Sequence, residues 1–583
     1  MLATAATKEP KKPTTAKSEV VAEYDRLANA VVETYAADNL DTIETTRKHF
    51  GRSFTRDDLR ATVWRLMYKV RQASGSPEAF GLAEAQELIA RTSGFPNWTA
   101  LIEHADTGKP EPGPTFAIDA HQSSISPRRI LKEKEWDEFV GVMREHRIPA
   151  LNAAGFMTDE AMERIARLDF VRTLSLGGSR GLSNEGLGQL ARMPQLESLD
   201  LSEYPGGKIS DAGLEVLRYL PNLKRFEMTW QRGITDAGAA NLRYCEQLES
   251  VNLMGSPTGD GAIEALRGKP KLQHLSTGRL VTDQGLALLH DFPMFKKWHS
   301  AEPESLIDPE SEPTKLLIDG PFSDRGLANL AGLEGVFALD LFWHVTNITA
   351  DAFKFLIDLP NLASLGCDGE LGTNLSFRHI AAIPRLRRLR AQEAVATDEG
   401  FEALSRSKTL EKFWGRECPH FGSRGFVALS RMPKLRDFGI GCQEVDDAAL
   451  STLPSFPSLR AITAVGFQDW GFRHIGRCEK LERLSCMYCR DTTDVSTEHI
   501  ANLRLKNYYA GLTQITDRSL KILGGMTSLE IVELFETKNV TDAGLAHLAK
   551  LPRLKRLEIF GLPNTTLTGT KAFSDRVHVK YHV

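Results

Sequence analysis

The stretch from Leu529 to Arg553, LEIVELFETKNVTDAGLAHLAKLPR, decides the fold, because the chain repeats its pattern many times. Another copy, LESLDLSEYPGGKISDAGLEVLRYLPN, begins at Leu196. Both read L-x-x-h-x-L (h is apolar), then a loop, then [IV]-[ST]-D-A-G-L and an amphipathic stretch that leads into L-P. A unit that recurs about every 24 residues predicts a stacked array rather than one globular core. The units begin at Val171, Leu196, Leu223, Leu248, Leu272, Phe295, Val336, Leu362, Leu386, Leu410, Leu435, Leu459, Leu481, Leu505, Leu529 and Leu554.

Each part of the unit predicts a local structure. Apolar positions 1, 4 and 6 predict a short strand that points these side chains into a shared core, so that positions 3, 5 and 7 face outward. The Thr-Asp or Ser-Asp pair is typical of a helix N-cap, as at Thr235 and Thr541. We attribute the recurring Asp to helix starts, where a negative charge is favourable. Leu545, Leu548 and Leu551 then form one apolar stripe of a helix.

The array has irregular points. The step from Phe295 to Val336 is longer, contains the insertion SAEPESLIDPESEPTK, and predicts a degenerate strand at Lys315–Ile318. A further degenerate unit is predicted at Ile148–Leu168. The C-terminal sequence VHVKYHV alternates apolar and polar residues, which predicts a strand that caps the last unit.

The units resemble the leucine-rich-repeat family, and most closely its cysteine-containing type and the similar ITDAGL repeats of bacterial proteins. Cys245 and Cys478 fall where the cysteine-containing type often has Cys. The resemblance covers about 400 residues. It implies an α/β fold, a leucine-rich-repeat solenoid with a parallel sheet on its concave side and helices on its convex side.

The remaining sequence divides into segments of different composition. Residues 1–17 predict a disordered tail, and residues 18–105 an N-terminal all-α domain. The end of that domain is similar to a short helical module that begins some bacterial repeat proteins. Its matching residues are Ile89, Gly94, Phe95, Trp98, Leu101 and His104. Residues 106–129 predict a linker, and residues 130–583 the solenoid with a capping helix at LKEKEWDEFVGVMREHRI.

Composition and charge indicate an ordinary folded protein. The 583 residues are 42% hydrophobic and 25% charged, with a net charge of -4. No stretch reaches the roughly 18 apolar residues of a membrane helix, and the first residues lack the apolar core of a signal peptide. The seven Cys are odd in number and widely spaced, which favours a reducing compartment. We therefore expect a cytoplasmic protein without a membrane partner.

Patterns that could carry chemistry have structural explanations in the repeat register. The run from Cys486 to Cys489 looks like a CxxC motif, but both cysteines fall at positions 6 and 9 of a unit, which are buried sites that Cys suits. No second CxxC or His pair completes a zinc site. Motifs of hydrolases, zinc proteases and nucleotide-binding proteins are missing from the sequence. We therefore predict no catalytic residue, no metal and no cofactor, and expect that the protein is not an enzyme.

Outward strand positions predict a partner site. Neighbouring strands bring positions 3, 5 and 7 of successive units within about 5 Å of each other. Since aromatic residues and Arg are frequent hot spots of interfaces, a Trp between cations predicts a site for an acidic peptide or protein surface. A solvated polar sheet is the alternative. The candidate partner-binding residues are Arg388, Arg390, Lys412, Trp414, Arg416, Phe342, Trp343, Tyr509 and Phe535.

A basic stretch in the predicted N-terminal helices suggests a second site. Between residues 47 and 71, eight cations face two carboxylates, which gives a local charge of +6. Nucleic-acid binding through a helix face is one interpretation, and a solvated helix face is the one we favour. The cations are Arg47, Lys48, Arg52, Arg56, Arg60, Arg65, Lys69 and Arg71.

Three functions stay open. We favour a non-enzymatic scaffold that binds a protein or peptide on the concave face, because a repeat surface is extended and preorganised. A nucleic-acid-binding or sensor protein that uses the basic helices is the second hypothesis. A ubiquitin-ligase substrate adaptor is the third and rests on family analogy alone, since the N-terminal helices lack the leading L-P of an F-box. The sequence does not determine the oligomeric state or the role of the insertion.

Overall fold

The computed structural model describes residues 19–37, 40–50, 55–56, 59–60, 62–63, 80–109, 114–119, 123–202, 208–299 and 312–582. The predicted disordered tail and most of the insertion after Phe295 lie outside these ranges. The chain divides into two compact units, Met1–Ala265 and Leu266–Val583. Among the helices of the described ranges, none combines the length and apolar character that a membrane span requires.

The first unit begins with a helical region, as predicted. Asn97 accepts a hydrogen bond from the N–H of Ala100 and thereby caps the last helix of the region. Leu88, Ile89 and Leu101 are fully buried in a core that these helices share. The helices span Glu19–Ala36, Leu40–Phe50, Leu82–Thr92 and Trp98–Thr107.

Seven strands follow in the described part of the first unit. They are β1 Phe116–Ile118, β2 Ser124–Pro127, β3 Ala150–Asn152, β4 Thr173–Ser175, β5 Ser198–Asp200, β6 Arg225–Glu227 and β7 Ser250–Asn252. β1 and β2 form an antiparallel pair, whereas each pair of neighbouring strands from β2 to β7 is parallel. Strand β3 confirms the degenerate unit predicted at Ile148–Leu168.

The predicted linker, residues 106–129, differs from the expectation, because β1 and β2 lie within it. Ile125 of β2 is fully buried and pairs with Leu151 of β3. Pro127 is buried as well, so two alternate residues of β2 pack inward and add this segment to the sheet, although its Pro and Gly content predicts a connection. The predicted capping helix follows at Glu133–His146 and buries Trp136, Phe139 and Met143.

The second unit contains thirteen described strands in parallel register. They are β8 His274–Ser276, β9 Lys315–Ile318, β10 Ala338–Leu341, β11 Ser364–Cys367, β12 Arg388–Arg390, β13 Lys412–Gly415, β14 Asp437–Gly441, β15 Ala461–Val465, β16 Arg483–Met487, β17 Asn507–Gly511, β18 Ile531–Phe535, β19 Arg556–Phe560 and β20 His578–His582. Strand β9 confirms the degenerate strand predicted beside the insertion. Strand β20 pairs with β19 and confirms the predicted terminal strand.

Short α and 3-10 helices follow the strands. Those from Asp159 to Leu266 span Asp159–Ile165, Asn184–Gly188, Gln189–Arg192, Asp211–Tyr219, Asp236–Ala239, Ala240–Tyr244 and Asp260–Leu266. Those of the second unit span Asp283–Ala287, Leu288–Asp291, Pro293–Lys296, Asp324–Ala328, Ala350–Asp358, Gly369–Leu371, Asn374–Ile380, Asp398–Leu404, Ser423–Leu429, Asp447–Leu450, Leu453–Ser455, Asp469–Ile475, Asp494–Ile500, Asp517–Leu523, Asp542–Leu548 and Leu567–Thr570.

The core follows the predicted register. In the repeat that begins at Leu529, strand positions 1, 4 and 6 are buried, and so are Leu545 and Leu548 of the helix. The alternation of the strand and the apolar stripe of the helix thus meet in one interior.

The recurring Asp does more than mark a helix start, because its carboxylate also joins neighbouring repeats. Oδ1 of Asp517 accepts a hydrogen bond from the N–H of Thr541 at 2.8 Å, and Oδ2 accepts one from the Thr541 hydroxyl at 2.6 Å. Oγ1 of Thr541 in turn accepts from the N–H of Ala543 and caps its own helix. We call this series of contacts the Asp ladder. The same double contact joins Asp159 to Ser183, Asp211 to Thr235, Asp283 to Ser323, Asp324 to Thr349, Asp469 to Thr493, Asp494 to Thr516 and Asp542 to Thr566.

The Asp ladder also explains the glycine of the D-A-G-L pattern. A Cβ atom at Gly544 would lie 2.2 Å from Oδ1 of Asp517 in the preceding repeat. Where the repeat has Ser519 instead, the Ser519 hydroxyl donates a hydrogen bond of 2.5 Å to Oδ1 of Asp494. Ala352 fills the same position beside Asp324, whose two contacts with Thr349 are intact, so the position takes only small residues.

Candidate functional site

The candidate site lies on the surface formed by strand positions 3, 5 and 7 of the second unit, which we call the open face. Strand pairing sets Arg388 beside Lys412 and Arg390 beside Trp414, so the structure places these predicted residues next to each other. All four side chains are half-buried. What surrounds them decides what this part of the face can bind.

Arg390 is held by carboxylates of the two preceding repeats. Its Nη2 lies 3.1 Å from Oδ1 of Asp340, and its Nη1 pairs with Asp368. Gly366, on the intervening strand, makes this possible, since a Cβ atom there would lie 1.9 Å from Asp340 Oδ1. The guanidinium therefore crosses the sheet over a residue without a side chain.

Burial alone would raise the pKa of the Asp340 carboxyl, but Lys315 and Arg390 outweigh it and hold that pKa below its usual value. Nζ of Lys315 lies 3.1 Å from Oδ2 of Asp340. Asp340 is thus an ionised group between two cations, which is the arrangement a buried charge needs.

Arg388 reaches a residue near the end of the insertion. Its Nη1 lies 3.1 Å from Oε1 of Glu312, whose side chain is 3% exposed, and Glu312 also lies 3.5 Å from Lys315. Glu312 was not among the predicted site residues. An insertion has no repeat register, so no pattern in the sequence could place this carboxylate on the open face.

Lys412 and Trp414 contact the strand that follows them. Asp437 lies 3.1 Å from Lys412 and 2.7 Å from Arg483, so one carboxylate joins two cations. The Trp414 indole lies against Gly439, where a Cβ atom would come within 2.5 Å of Cε3. Reading positions 3 and 7 in every repeat would have found Asp437 and also Asp368, because both occupy outward register positions.

Arg416 reaches farther along the face. Its guanidinium carbon lies 5.7 Å from the ring centroid of Tyr488, across the intervening strands β14 and β15. Those strands carry small residues at the outward positions, including Gly439 and Gly441, which are buried. Arg416, after β13, and Tyr488, after β16, thus meet above strands β14 and β15, whose outward side chains are short.

The predicted picture of a Trp between three cations that await an acidic partner therefore needs correction. Arg388, Arg390 and Lys412 each already bond a carboxylate of the chain, so an acidic partner would have to compete with these pairs. We define the central network as Glu312, Lys315, Asp340, Asp368, Arg388, Arg390, Lys412, Trp414, Arg416, Asp437, Arg483 and Tyr488. It is a braced platform in which six cations meet four carboxylates.

Phe342 and Trp343 form an exposed aromatic pair after β10. Their rings are stacked, with centroids 5.1 Å apart and planes at 8°, and Trp343 is 70% exposed. The next residue, His344, donates its backbone N–H to Oδ1 of the buried Asp319 at 2.8 Å, and its Nδ1 lies 2.7 Å from Oδ2. This buried carboxylate fixes the loop that presents both rings.

The other predicted aromatic residues lie near the C-terminal end of the sheet. Phe535 stacks on Phe560 of the next strand, with centroids 4.8 Å apart and planes at 7°. Tyr509 pairs in register with Glu533. In the strand order they are separate from most of the central network. The exception is Tyr488, which directly follows β16, the strand beside that of Tyr509.

Strand ends of the second unit carry backbone strain that the sequence did not indicate. Position 8 adopts a left-handed conformation in several repeats although the residue is not glycine. Such residues usually cost about 1 to 3 kcal/mol and gather where the surrounding structure fixes them. They are Glu393, Glu417, Tyr488, Leu512 and Glu536, with φ between 48° and 58°.

The cysteines occupy core positions. Cys486 and Cys489 are buried, and the Sγ of Cys489 donates to the carbonyl oxygens of Ala464 and Met487. Burial raises the pKa of the Cys489 thiol to about 11. The prediction from register is confirmed for both residues, since each one packs as a small apolar group.

Described members of the N-terminal basic run have structural contacts. Arg56 donates to the carbonyl oxygens of Tyr35 and Ala36, at the C-terminal end of the first helix. Arg47 pairs with Glu44 at 2.6 Å, and Arg60 lies over the Tyr35 ring. Lys48 is exposed. Arg52, Arg65, Lys69 and Arg71 lie outside the described residues.

No family model and no curated protein matches the sequence. Among solved structures, the chain is similar to an internalin from Listeria monocytogenes, with 16% identity and a TM-score of 0.28 over 69% of this chain and 88% of that one. It is similar to a chain of the TLR13–ssRNA13 complex, with 14% identity and a TM-score of 0.44 over 80% and 67%. It is also similar to a chain of the yeast Rad7–Elc1 complex, with 12% identity and a TM-score of 0.33 over 93% and 98%. By its own repeating strands and helices, the chain has the α/β fold of a leucine-rich-repeat solenoid, preceded by a helical region.

Proposed function

We propose that the chain is a non-enzymatic recognition scaffold whose open face in the second unit binds a protein or peptide. The observation that carries this proposal is the setting of Trp414. Its indole packs against Gly439, and the cations around it are fixed by carboxylates. A large aromatic surface that is already immobilised loses little conformational entropy when a partner covers it.

The ion pairs of the central network define what kind of contact this part of the face favours. Because the cations are largely satisfied within the chain, net charge contributes little to affinity there. Arginine carries five N–H donors, and Arg390 uses only some of them on Asp340 and Asp368. A partner that packs on Trp414 and accepts the remaining donors through backbone carbonyl oxygens fits this chemistry.

Affinity capture with the full chain from its native host, followed by measurement of the captured partner's affinity, tests the proposal. Trp414→Ala should weaken binding at least about tenfold, as expected for an interface hot spot. Trp470→Ala is the matched control, since Trp470 is 39% exposed but belongs to the helix Asp469–Ile475. Equal affinities of the two variants would reject the assignment of Trp414.

We also propose that the repeats are of the cysteine-containing type and that the protein works in the cytoplasm. Cys245 is buried and its Sγ donates to the carbonyl oxygen of Leu217 in the preceding repeat, which gives the cysteine a role between repeats. All seven cysteines are free thiols, as suits a reducing compartment. Nothing in the described basic helices or in the fold favours the nucleic-acid or ubiquitin-ligase alternatives.

A further inference from the structure

The N-terminal helical region contains a cavity between its first two helices, Glu19–Ala36 and Leu40–Phe50. Its volume is about 620 Å³, which is within the usual range for small-molecule sites. Lys132, the residue before the capping helix Glu133–His146, also lines it. We call this space the helical cavity. Its chemistry is set by His49 and the charges near it.

The hydrogen bonds of His49 define which ring nitrogen carries the hydrogen. Its Nε2 lies 2.9 Å from Oγ1 of Thr92, on the helix Leu82–Thr92. The Thr92 hydroxyl has one hydrogen and donates it to the carbonyl oxygens of Leu88 and Ile89, so Oγ1 accepts from Nε2 of His49. In the neutral ring, Nδ1 is therefore a hydrogen-bond acceptor.

This acceptor is available to a ligand. His49 lines the helical cavity, and its Nδ1 has no hydrogen-bond partner among the residues that the structure describes. Burial and the nearby charge of Lys132 together lower the pKa of His49 to about 4. The ring is therefore neutral at pH 7, and Nδ1 keeps its lone pair.

Two lysines line the helical cavity beside His49. Lys48 precedes His49 on the same helix, and the effect of Lys132 on the pKa of His49 indicates that its ammonium group is close to the ring. Within the described part of the chain, neither lysine forms an ion pair. Glu23 and Arg26 also line the cavity and offset each other in charge. The end of the cavity next to His49 thus has an excess of positive charge.

The other carboxylates of the helical cavity lie at its opposite end. Thr34 bonds Thr42 at 3.1 Å, which places the adjacent residues Glu33 and Asp41 where the two helices meet their connecting turn. His49 lies seven residues beyond Thr42, or about 10 Å along the helix. An anion beside His49 is therefore separated from these two carboxylates.

An anion that retains an O–H group matches the end of the cavity next to His49. A carboxylate or a sulfate ion has only lone pairs on its oxygens at neutral pH, and these would repel the lone pair of Nδ1. Inorganic phosphate keeps at least one O–H group at neutral pH. A phosphate monoester keeps one in its singly charged form, since its second pKa is about 6.

We propose that the helical cavity binds the phosphate group of a small molecule, which donates its O–H to Nδ1 of His49 and accepts hydrogen bonds from Lys48 and Lys132. The remaining volume leaves room for an organic group on the phosphate. Glu33 and Asp41 favour hydroxyl or ammonium donors at the far end of that group. This site lies outside the open face and adds a small-molecule ligand to the function proposed above.

Isothermal titration calorimetry of the full chain at pH 7, with inorganic phosphate and with sulfate at equal ionic strength, tests this inference. Phosphate should bind at least about tenfold more tightly than sulfate, because only phosphate donates to Nδ1. Lys48→Met and Lys132→Met should each weaken phosphate binding at least about fivefold. Lys134→Met is the matched control and should leave the affinity unchanged, since Lys134 is exposed near Lys132 but does not line the helical cavity.

Equal affinities for phosphate and sulfate would overturn the inference, because the lysines would then attract any anion without help from His49. Absence of phosphate binding in the millimolar range would also overturn it, as would equal effects of Lys132→Met and Lys134→Met. A single-stranded oligonucleotide that binds more tightly than phosphate and depends on both cavity lysines would assign them to a nucleic-acid surface instead. Trp414→Ala should leave phosphate binding unchanged, so this inference and the proposed scaffold function can fail separately.

Discussion

At the helix starts, repeat after repeat has Asp at the same position, whereas at strand position 7 of the second unit the residue changes from Asp368 to Arg416 to Phe535. Both positions recur equally often in one chain. The difference lies in what each one contacts. The carboxylate at the helix start bonds the next repeat, while the side chain at position 7 leaves the sheet on its open face.

This comparison shows how a repeat chain separates folding from recognition. A position that must fit its neighbour in the next repeat can change little, because each copy constrains the following one. An outward position has no such constraint and is free to differ between strands. Variation among the repeats of a single chain therefore marks the surface on which function can reside.

The largest effect should come from breaking the Asp ladder. Gly544→Val places a branched side chain against Oδ1 of Asp517, where other repeats have only Gly, Ala or Ser, so the helix start must shift or the hydrogen bonds to Thr541 must lengthen. We expect a loss of about 2 to 3 kcal/mol in the free energy of unfolding, measured by urea titration with circular dichroism. Gly141→Val is the control, because a Cβ atom at Gly141 meets nothing within 4 Å. If both variants unfold at the same urea concentration, the ladder does not constrain this glycine.

Acid should weaken the N-terminal helical region next most strongly. Burial and the nearby charge of Lys132 together lower the pKa of His49 from 6.5 to about 4, and the ring bonds Oγ1 of Thr92. The folded state thus prefers the neutral imidazole, so stability is complete above about pH 6.5 and falls as the pH drops toward 4. Because His49 is only half-buried, we expect a loss of about 1 to 3 kcal/mol.

Hydrogen exchange of the helix Leu40–Phe50 between pH 7 and pH 4, corrected for the intrinsic rate, measures this loss. The variant His49→Gln should remove most of the pH dependence while the protein stays folded. An unchanged pH dependence in that variant would show that another group is responsible.

A smaller effect should distinguish the central network from ordinary surface pairs. A double-mutant cycle with Arg390→Met and Asp340→Asn should give a coupling energy of about 1 kcal/mol, because both groups are largely buried. The pair of Lys506 and Glu482, in which both side chains are about half exposed, should give close to zero. Equal coupling energies in the two cycles would mean that the network is not a braced platform.

The smallest effect should appear at the strained strand ends. Glu393→Gly relieves a left-handed conformation and should raise the free energy of unfolding by up to about 1 kcal/mol. Glu399→Gly, inside the helix Asp398–Leu404, should lower it by about 1 kcal/mol. Thermal melts of the two variants should therefore shift in opposite directions, and a shift in the same direction would show that position 8 is not strained.

Periodicity in the sequence was sufficient to predict the strands, the helix caps and the core, because each repeat has the same spacing of apolar residues. The degenerate strand Lys315–Ile318 and the terminal strand His578–His582 could be predicted for the same reason. Strand β2 could not, since it is a single short copy without the rest of a repeat. Its two buried residues, Ile125 and Pro127, are too few to form a recognisable pattern.

From the sequence, the candidate site could be predicted only as rows of outward side chains on neighbouring strands, without their contacts. Register places Arg390 beside Trp414, but it does not specify the rotamers that carry Arg390 over Gly366 to Asp340. Glu312 comes from an insertion outside the register and lies far from Arg388 in the sequence. Long charged side chains pair with opposite charges that are close in space, and spacing along the sequence does not specify that distance.

Hydroxyl-radical footprinting of the full chain with and without its captured partner tests most directly whether the open face binds. We expect protection of Trp414, Tyr509, Phe535 and Phe560 when the partner is present, and no change at Trp470 on the helix Asp469–Ile475. Protection of Trp470 with unchanged labelling of the four open-face residues would contradict the account, because recognition would then lie on the helices.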